Sequence, residues 1–126
     1  MNVLVHTRTQ HQGHEEVHGM KYAASMDDLL ARSDIVSLHC PGGAETKGLV
    51  NKEFLSKMKD DAVLLNTSRG NVVVDEDLLA HMNSHNDFWY GTDVFNGEPT
   101  AKAADWKSDV STHPRCYGTH HCGAST

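Results

Sequence analysis

Two groups of residues in the 126-residue sequence could support chemistry, and the first is the run HEEVH at 14–18. It fits the pattern H-E-x-x-H, in which two histidines one helical turn apart share a zinc ion and the glutamate acts as general base. The longer form of this pattern needs glycine at 21 and histidine at 24, where the sequence has Lys21 and Ala24. No catalytic metal site is therefore predicted, and zinc binding through His14 and His18 is kept as a remote alternative.

The second group is Arg69, Glu98 and His121, which come at or just after three runs typical of β-strands, AVLLNTS, WYGTDVF and RCYGTHH. A guanidinium can hold a carboxylate through two parallel hydrogen bonds. A histidine beside a carboxylate can stay protonated near neutral pH and donate a proton to a carbonyl oxygen. Together the three residues suit reduction of a 2-keto acid by hydride from a nicotinamide.

These side chains need a fold that brings strand ends together. Strand-like runs (NVLVHT, DIVSLHC, AVLLNTS, WYGTDVF) alternate with helical segments, which are expected to begin at Ser25, Asn51 and Asp75. Such alternation predicts an α/β fold class with a doubly wound parallel sheet. Ligands of such sheets bind at the carboxyl ends of the strands, where the second group of residues falls.

Composition sets the remaining limits. The length predicts one domain over residues 1–126. A formal net charge of −6 argues against nucleic acid as a partner, and no apolar run is long enough to predict a membrane partner. Three cysteines without a disulfide spacing predict reduced thiols and a cytoplasmic location.

The runs NTSRGNVVVDE, GTDVFNGEP and HHCGAST, in this order, resemble the NAD(P)-binding domain of the D-isomer-specific 2-hydroxyacid dehydrogenases, with phosphoglycerate dehydrogenase-like and hydroxypyruvate reductase-like proteins nearest. The resemblance implies an oxidoreductase that transfers hydride between a nicotinamide and a 2-keto or 2-hydroxy acid. No G-x-G-x-x-G occurs in the 126 residues, so a truncated, partial Rossmann fold without the first strand and its glycine-rich loop is expected.

The resemblance also implies a role for each member of the second group. Arg69 matches the arginine that binds the substrate carboxylate and polarises the keto group. Glu98 matches the glutamate that orients the catalytic histidine, and His121 matches that histidine, an acid in reduction and a base in oxidation. His121 is preferred to His120 because CGAST follows it.

Cofactor-binding residues are implied in the same way, on several loops. They are Thr7, Arg8, His39, Cys40, Pro41, Thr67, Ser68, Arg69, Asp93, His121 and Gly123. In the family the strand resembling NVLVHT normally ends in an aspartate that bonds the adenosine ribose, but here Thr7 and Arg8 follow it. An arginine pairs with a 2′-phosphate that a carboxylate would repel, so NADP is favoured over NAD.

Three hypotheses about function stay open at this stage. The chain is a working oxidoreductase completed by a partner, a truncated non-catalytic nucleotide-binding or regulatory remnant, or a zinc-binding protein. Without a first strand, NVLVHT and DIVSLHC flank an empty slot; the strands close up, another chain fills the slot, or the chain is unstable alone. The exposed edges and the resemblance make a homodimer possible.

Overall fold

The computed structural model of the protein describes residues 1–99 and 106–123. Its strands are β1 (Val3–Val5), β2 (Met20–Tyr22), β3 (Ile35–Leu38), β4 (Val63–Asn66), β5 (Trp89–Thr92) and β6 (Cys116–Gly118). Its helices are α1 (His14–His18), α2 (Met26–Arg32), α3 (Lys52–Ser56) and α4 (Asp75–Ser84), with a 3-10 helix at Gly70–Val72. The order of elements confirms the predicted α/β class.

The first residues of the helices explain where two of them begin. Ser25 Oγ accepts a hydrogen bond from Asp28 N at 3.0 Å, and Asn51 Oδ1 accepts one from Phe54 N at 3.0 Å. Both are side-chain N-caps of the kind that satisfy the orphan amides of a first helical turn. The third prediction differs, because Asp75 is the first helical residue and the cap position before it carries no side-chain hydrogen bond.

All the described strands run parallel, in two sheets. One sheet pairs β1 with β2, and the other has the order β3-β4-β5-β6. In the larger sheet Leu65 lies opposite Ser37 on one side and Gly91 on the other, and Gly91 lies opposite Tyr117. Because β1 and β3 belong to different sheets, the two strands predicted to flank an empty slot do not close up on each other.

One face of the larger sheet forms the core with helices α2, α3 and α4. Members of this core from the strands and helices include Val36, Leu38, Leu64, Tyr90, Leu30, Phe54, Leu55, Leu78 and Met82. These strand residues alternate with ones on the opposite face, as the two-residue period of a strand requires. On that opposite face Ile35, Trp89 and Tyr117 remain 57%, 47% and 75% exposed.

The smaller sheet contributes no residue to this core cluster. Helix α1 has no buried residue and contacts β2, where Tyr22 N donates to Glu15 Oε1 at 2.8 Å. Gly19 ends the helix with a left-handed φ of 63°, a conformation that glycine adopts without steric cost. Among the described residues, no helix is long and apolar enough to cross a bilayer.

Candidate functional site

The loops that follow β3, β4 and β5 meet at the carboxyl edge of the larger sheet, and two glycines make this possible. A Cβ on Gly70 would lie 2.2 Å from Phe95 O, so these loops touch only because residue 70 has no side chain. A Cβ on Gly42 would lie 2.4 Å from Arg69 Cγ, so the loop after β3 packs against the stem of Arg69. Asn71 Nδ2 reinforces that contact by donating to Gly42 O at 3.2 Å.

The loop carrying Arg69 is shaped by the buried side chain of Asn66. Asn66 Oδ1 accepts hydrogen bonds from Ser68 N at 3.0 Å and Ser68 Oγ at 2.8 Å, while Nδ2 donates to Arg69 O at 3.0 Å. Ser68, a predicted cofactor residue, therefore turns its hydroxyl into the protein, whereas Thr67 is exposed. Sequence reasoning missed Asn66 as a site residue, although it opens the NTSRG run.

The structure brings Glu98 and His121 into direct contact. His121 Nδ1 lies 2.6 Å from Glu98 Oε1, with the two side chains 46% and 30% exposed. A carboxylate acceptor at Nδ1 favours the proton on that nitrogen, which leaves Nε2 as the atom that can exchange a proton with a substrate. Glu98 Oε2 also accepts a long bond of 3.5 Å from Phe95 N, the residue that meets Gly70.

Asp93 and Gly123, both predicted to bind the cofactor, contact each other. Gly123 N donates to Asp93 Oδ2 at 2.8 Å, and a Cβ on Gly123 would come within 2.9 Å of the same oxygen. The hydrogen bond from Thr119, helped by the backbone amides of Gly123 and Cys122 and by the charge of His121, holds the pKa of the Asp93 carboxyl below its usual value. Burial opposes this decrease, but the carboxylate form prevails.

The three predicted residues after β3 lie on the neighbouring loop. His39 is exposed, and its Nε2 is 2.9 Å from Ser37 Oγ. Cys40 is partly buried against the core, and Pro41 O accepts a hydrogen bond from Thr46 Oγ1. These contacts order the loop, so the predicted adenosine-side residues occupy defined positions.

Thr7 and Arg8 lie beyond the end of β1, on the smaller sheet, and both are exposed. The Arg8 guanidinium forms an ion pair with Glu45, in which the side chains are 80% and 74% exposed. Glu45 follows the loop of His39 and Pro41, so this pair links the two predicted adenosine-side segments.

The HEEVH run is the exposed helix α1. The His14 and His18 rings are 5.2 Å apart between centroids and perpendicular to each other, and Glu15 is engaged by the Tyr22 backbone. Within residues 1–99 and 106–123, no group of three or more His, Cys, Asp or Glu side chains is arranged to hold a metal ion.

Comparisons with known proteins show which family the chain is similar to. The family model of the D-isomer specific 2-hydroxyacid dehydrogenase, NAD binding domain, matches residues 1–123. A hydroxypyruvate reductase of Blautia hydrogenotrophica is 47% identical over 74 residues, or 59% of this chain and 23% of that protein. Formate dehydrogenase of Candida boidinii is 42% identical over 93 residues, which are 74% of this chain and 26% of that protein. Apo D-mandelate dehydrogenase of Rhodotorula graminis has a TM-score of 0.87 at 25% identity, covering 100% of this chain and 35% of that one.

The parallel sheets and their helices thus define a Rossmann-like, NAD-binding α/β domain. The chain belongs to the D-isomer specific 2-hydroxyacid dehydrogenase family, which confirms the resemblance seen in its motifs. It spans about a quarter of the length of the curated relatives it matches, 23% and 26% in the two cases above.

Proposed function

We propose that the chain supplies the catalytic edge of an NAD(P)-dependent oxidoreductase that transfers hydride between a nicotinamide and a 2-keto or 2-hydroxy acid. The observation that carries the proposal is the 2.6 Å contact between His121 Nδ1 and Glu98 Oε1. It lies at the sheet edge where the loop of Arg69 packs against the loop of Phe95. A paired acid–base group and a guanidinium at one edge suit a substrate that has both a carboxylate and a carbonyl.

Each side chain then has a distinct role. Arg69 binds the substrate carboxylate and polarises the neighbouring carbonyl oxygen. His121 donates the proton on Nε2 to that oxygen in reduction and takes it back in oxidation, while Glu98 orients the ring and stabilises its positive charge through Nδ1. When bound, the nicotinamide supplies the hydride that the carbonyl carbon receives.

The described residues suit a dinucleotide along the sheet edge. Asp93 Oδ2 accepts one hydrogen bond, from Gly123, and a carboxylate oxygen has room for a second donor such as a carboxamide. Thr67 is exposed on the loop after the neighbouring strand β4, and His39 and Pro41 are exposed after β3. The 126 residues contain no G-x-G-x-x-G, the loop whose amides usually hold a pyrophosphate.

A preference for NADP is the finer part of the proposal, supported by the position of Arg8 after β1. Its exposed guanidinium is paired with Glu45, and a 2′-phosphate would have to replace that carboxylate. We therefore expect Glu45→Gln to strengthen NADPH binding and Arg8→Ala to weaken it, with NADH binding nearly unchanged in both. Equal effects on the two cofactors would exclude a role for Arg8 in reading the phosphate.

The central experiment titrates the chain with NADH and NADPH, following nicotinamide fluorescence and the melting temperature together. Binding by the folded chain, followed by reduction of a 2-keto acid, supports the oxidoreductase. Binding without turnover supports the alternative of a non-catalytic nucleotide-binding or regulatory remnant. Absence of binding to a folded chain contradicts both.

Substitutions then assign the roles if turnover is measured. We expect His121→Asn to lower kcat by about 10²-fold or more, the usual contribution of general acid–base catalysis. His120→Asn is the matched control, since His120 is the adjacent exposed histidine, and we expect it to keep kcat within about 2-fold. Arg69→Gln should raise KM for the keto acid and also lower kcat, because the guanidinium both binds the carboxylate and polarises the carbonyl.

Names of the relatives suggest which substrates to try first. One relative is called a hydroxypyruvate reductase, so hydroxypyruvate is the first 2-keto acid to test. Another is called a formate dehydrogenase, which makes formate oxidation the second assay.

A homodimer and a cytoplasmic location complete the proposal. Exposed apolar side chains at Ile35, Trp89 and Tyr117 on one sheet face support association, and three unpaired cysteines support a reducing compartment. Light scattering after size exclusion measures the first, and localisation of a tagged chain measures the second.

A further inference from the structure

We infer that Asp93 is a positioning residue for His121, because its carboxylate anchors the turn that carries the imidazole. This inference rests on the proposed function for its catalytic meaning, but the contacts that support it are within the chain. Asp93 directly follows β5, and its own backbone N donates to Asn66 O at 3.2 Å, which fixes it to the end of β4. The anchor is therefore attached to the rigid part of the fold.

The carboxylate of Asp93 collects donors from both sides of His121. Thr119 Oγ1 donates to Oδ1 at 2.5 Å and Cys122 N donates to the same oxygen at 3.0 Å, while Gly123 N donates to Oδ2 at 2.8 Å. The residues that flank the histidine are thus bound to one side chain of the neighbouring strand's loop. No other residue in the described parts of the chain receives hydrogen bonds from all three of these positions.

This anchoring accounts for an unusual backbone conformation. His121 has a φ of 53° and is the one residue other than glycine with positive φ in the described parts of the chain. A left-handed conformation is sterically unfavourable for such a residue and persists where surrounding contacts enforce it. Hydrogen bonds from Thr119, Cys122 and Gly123 to Asp93 provide that enforcement, and the resulting turn places His121 Nδ1 against Glu98.

The ionised state of the Asp93 carboxyl supports its role as the anchor of this turn. The hydrogen bonds from Thr119 and the two amides keep the pKa of the Asp93 carboxyl low, so the group is a carboxylate at neutral pH. Two carboxylates, Asp93 and Glu98, therefore face the turn that carries His121. Glu98 touches the imidazole ring, whereas Asp93 holds the backbone on either side of it.

The test replaces the carboxylate with its isosteric amide and observes the histidine by NMR. In the 126-residue chain labelled uniformly with ¹⁵N, His121 Nδ1 should give the signature of a hydrogen bond to a carboxylate. Asp93→Asn should abolish that signature and move the Cys122 and Gly123 amide protons upfield. Thr119→Val removes one of the three donors at nearly constant shape. It should cause the same two changes, in the Nδ1 signal and in the two amide protons, to a smaller extent.

Two controls separate the anchor from the pair it positions. Glu98→Gln should change the Nδ1 signal but leave the amide protons of Cys122 and Gly123 in place. Asp87→Asn, at an exposed carboxylate after α4, should change neither. If Asp93→Asn does not fold, Thr119→Val alone decides between the outcomes.

An unchanged Nδ1 signal in folded Asp93→Asn would overturn the inference. If Asp93→Asn does not fold, an unchanged Nδ1 signal in Thr119→Val would overturn it. These readouts need no cofactor, so the outcomes for the two proposals are distinguishable. A chain that binds no dinucleotide but loses the His121–Glu98 contact in Asp93→Asn contradicts the proposed function and keeps the positioning role. If the original chain turns over a keto acid but Asp93→Asn keeps the His121–Glu98 contact, the proposed function stands and the positioning role is contradicted.

Discussion

Asn66 shows how a single buried amide can determine the position of a functional arginine three residues away. Its side chain is fully buried and bonds both Ser68 and the carbonyl of Arg69. Two of these bonds involve backbone groups, Ser68 N and Arg69 O, which lose this partner if the amide is removed. The loop after β4 therefore depends on this residue for its shape.

We expect Asn66→Ala to lower the free energy of unfolding by about 2–3 kcal/mol, because it leaves a buried donor and acceptor unpaired. Urea denaturation followed by circular dichroism measures the change. Asn86→Ala, at an exposed turn position, is the control and should stay within about 0.5 kcal/mol of the original chain. Equal losses in the two variants would contradict a special role for Asn66.

His81 makes stability depend on pH. Its ring lies on α4, stacked on His85 at 4.0 Å and edge-on to Phe88 at 4.7 Å, and its Nε2 is buried without a partner. Burial, followed by the charge of His85, lowers the pKa of His81 to about 4. The folded state therefore holds the ring neutral, while the unfolded chain protonates it near 6.5.

The difference in pKa between the folded and unfolded states determines how stability changes with pH. Between pH 6.5 and about 4 the unfolded state binds more protons, so stability is full above pH 6.5 and is lost as the pH falls toward 4. We expect a loss of about 1–2 kcal/mol, reduced from the full value because the ring is partly exposed. His81→Leu should flatten this part of the pH profile measured by thermal melting, and His120→Leu should leave it as it was.

The candidate site depends on how closely the loop after β4 approaches the loop after β5. Gly70 starts the 3-10 helix after β4, and a Cβ there would lie 2.2 Å from Phe95 O and 2.5 Å from Asn96 N. Both contacts are with backbone, which cannot rotate away as a side chain can. The loop that carries Arg69 and the loop that leads to Glu98 would have to separate.

We expect Gly70→Ala to cost about 3 kcal/mol of stability and to weaken any dinucleotide binding. Gly43→Ala is the matched control, because a Cβ there meets nothing within 4 Å and its φ is not positive. We expect that control to be neutral or slightly stabilising. A thermal melt of both variants measures the difference, and comparable melting temperatures would contradict the close approach.

The elements themselves were largely predictable from sequence. Ser25 and Asn51 start helices because cap chemistry is local. The run AVLLNTS predicts β4 because a nearly continuous apolar run is typical of parallel strands, although Val63 and Leu65 on its second face are only partly buried. The 3-10 helix at Gly70–Val72 was not predicted, since it depends on contact with the loop after β5. Local signals are readable, whereas contacts between loops are not.

The same distinction applies to the candidate site. Motif resemblance selected Glu98 and His121, and the structure places them in contact. The motifs gave no reason to expect the left-handed backbone of His121 or the three hydrogen bonds that Asp93 accepts. Both features depend on contacts between residues about 30 positions apart. Pairing over such distances is set by the register of β5 and β6, which periodicity alone does not specify.

Over the whole molecule, burial is unevenly distributed between the two sheets. The core cluster lies between the larger sheet and helices α2–α4, whereas β1, β2 and α1 contribute none of its members. Among the strands in residues 1–99 and 106–123, β1 and β3 each pair with a neighbour on one side only. Stability should therefore differ between the two parts.

We expect hydrogen exchange to resolve this difference, with the amides of residues 1–22 exchanging well before those of β4 and α4. Leu64→Ala, at a fully buried position of β4, should cost about 2–5 kcal/mol and speed exchange in the larger sheet while leaving residues 1–22 unchanged. Val17→Ala, at a residue 76% exposed, serves as the control that changes neither. If residues 1–22 instead lose protection together with β4 in Leu64→Ala, the chain unfolds as one cooperative unit and the two sheets are energetically coupled.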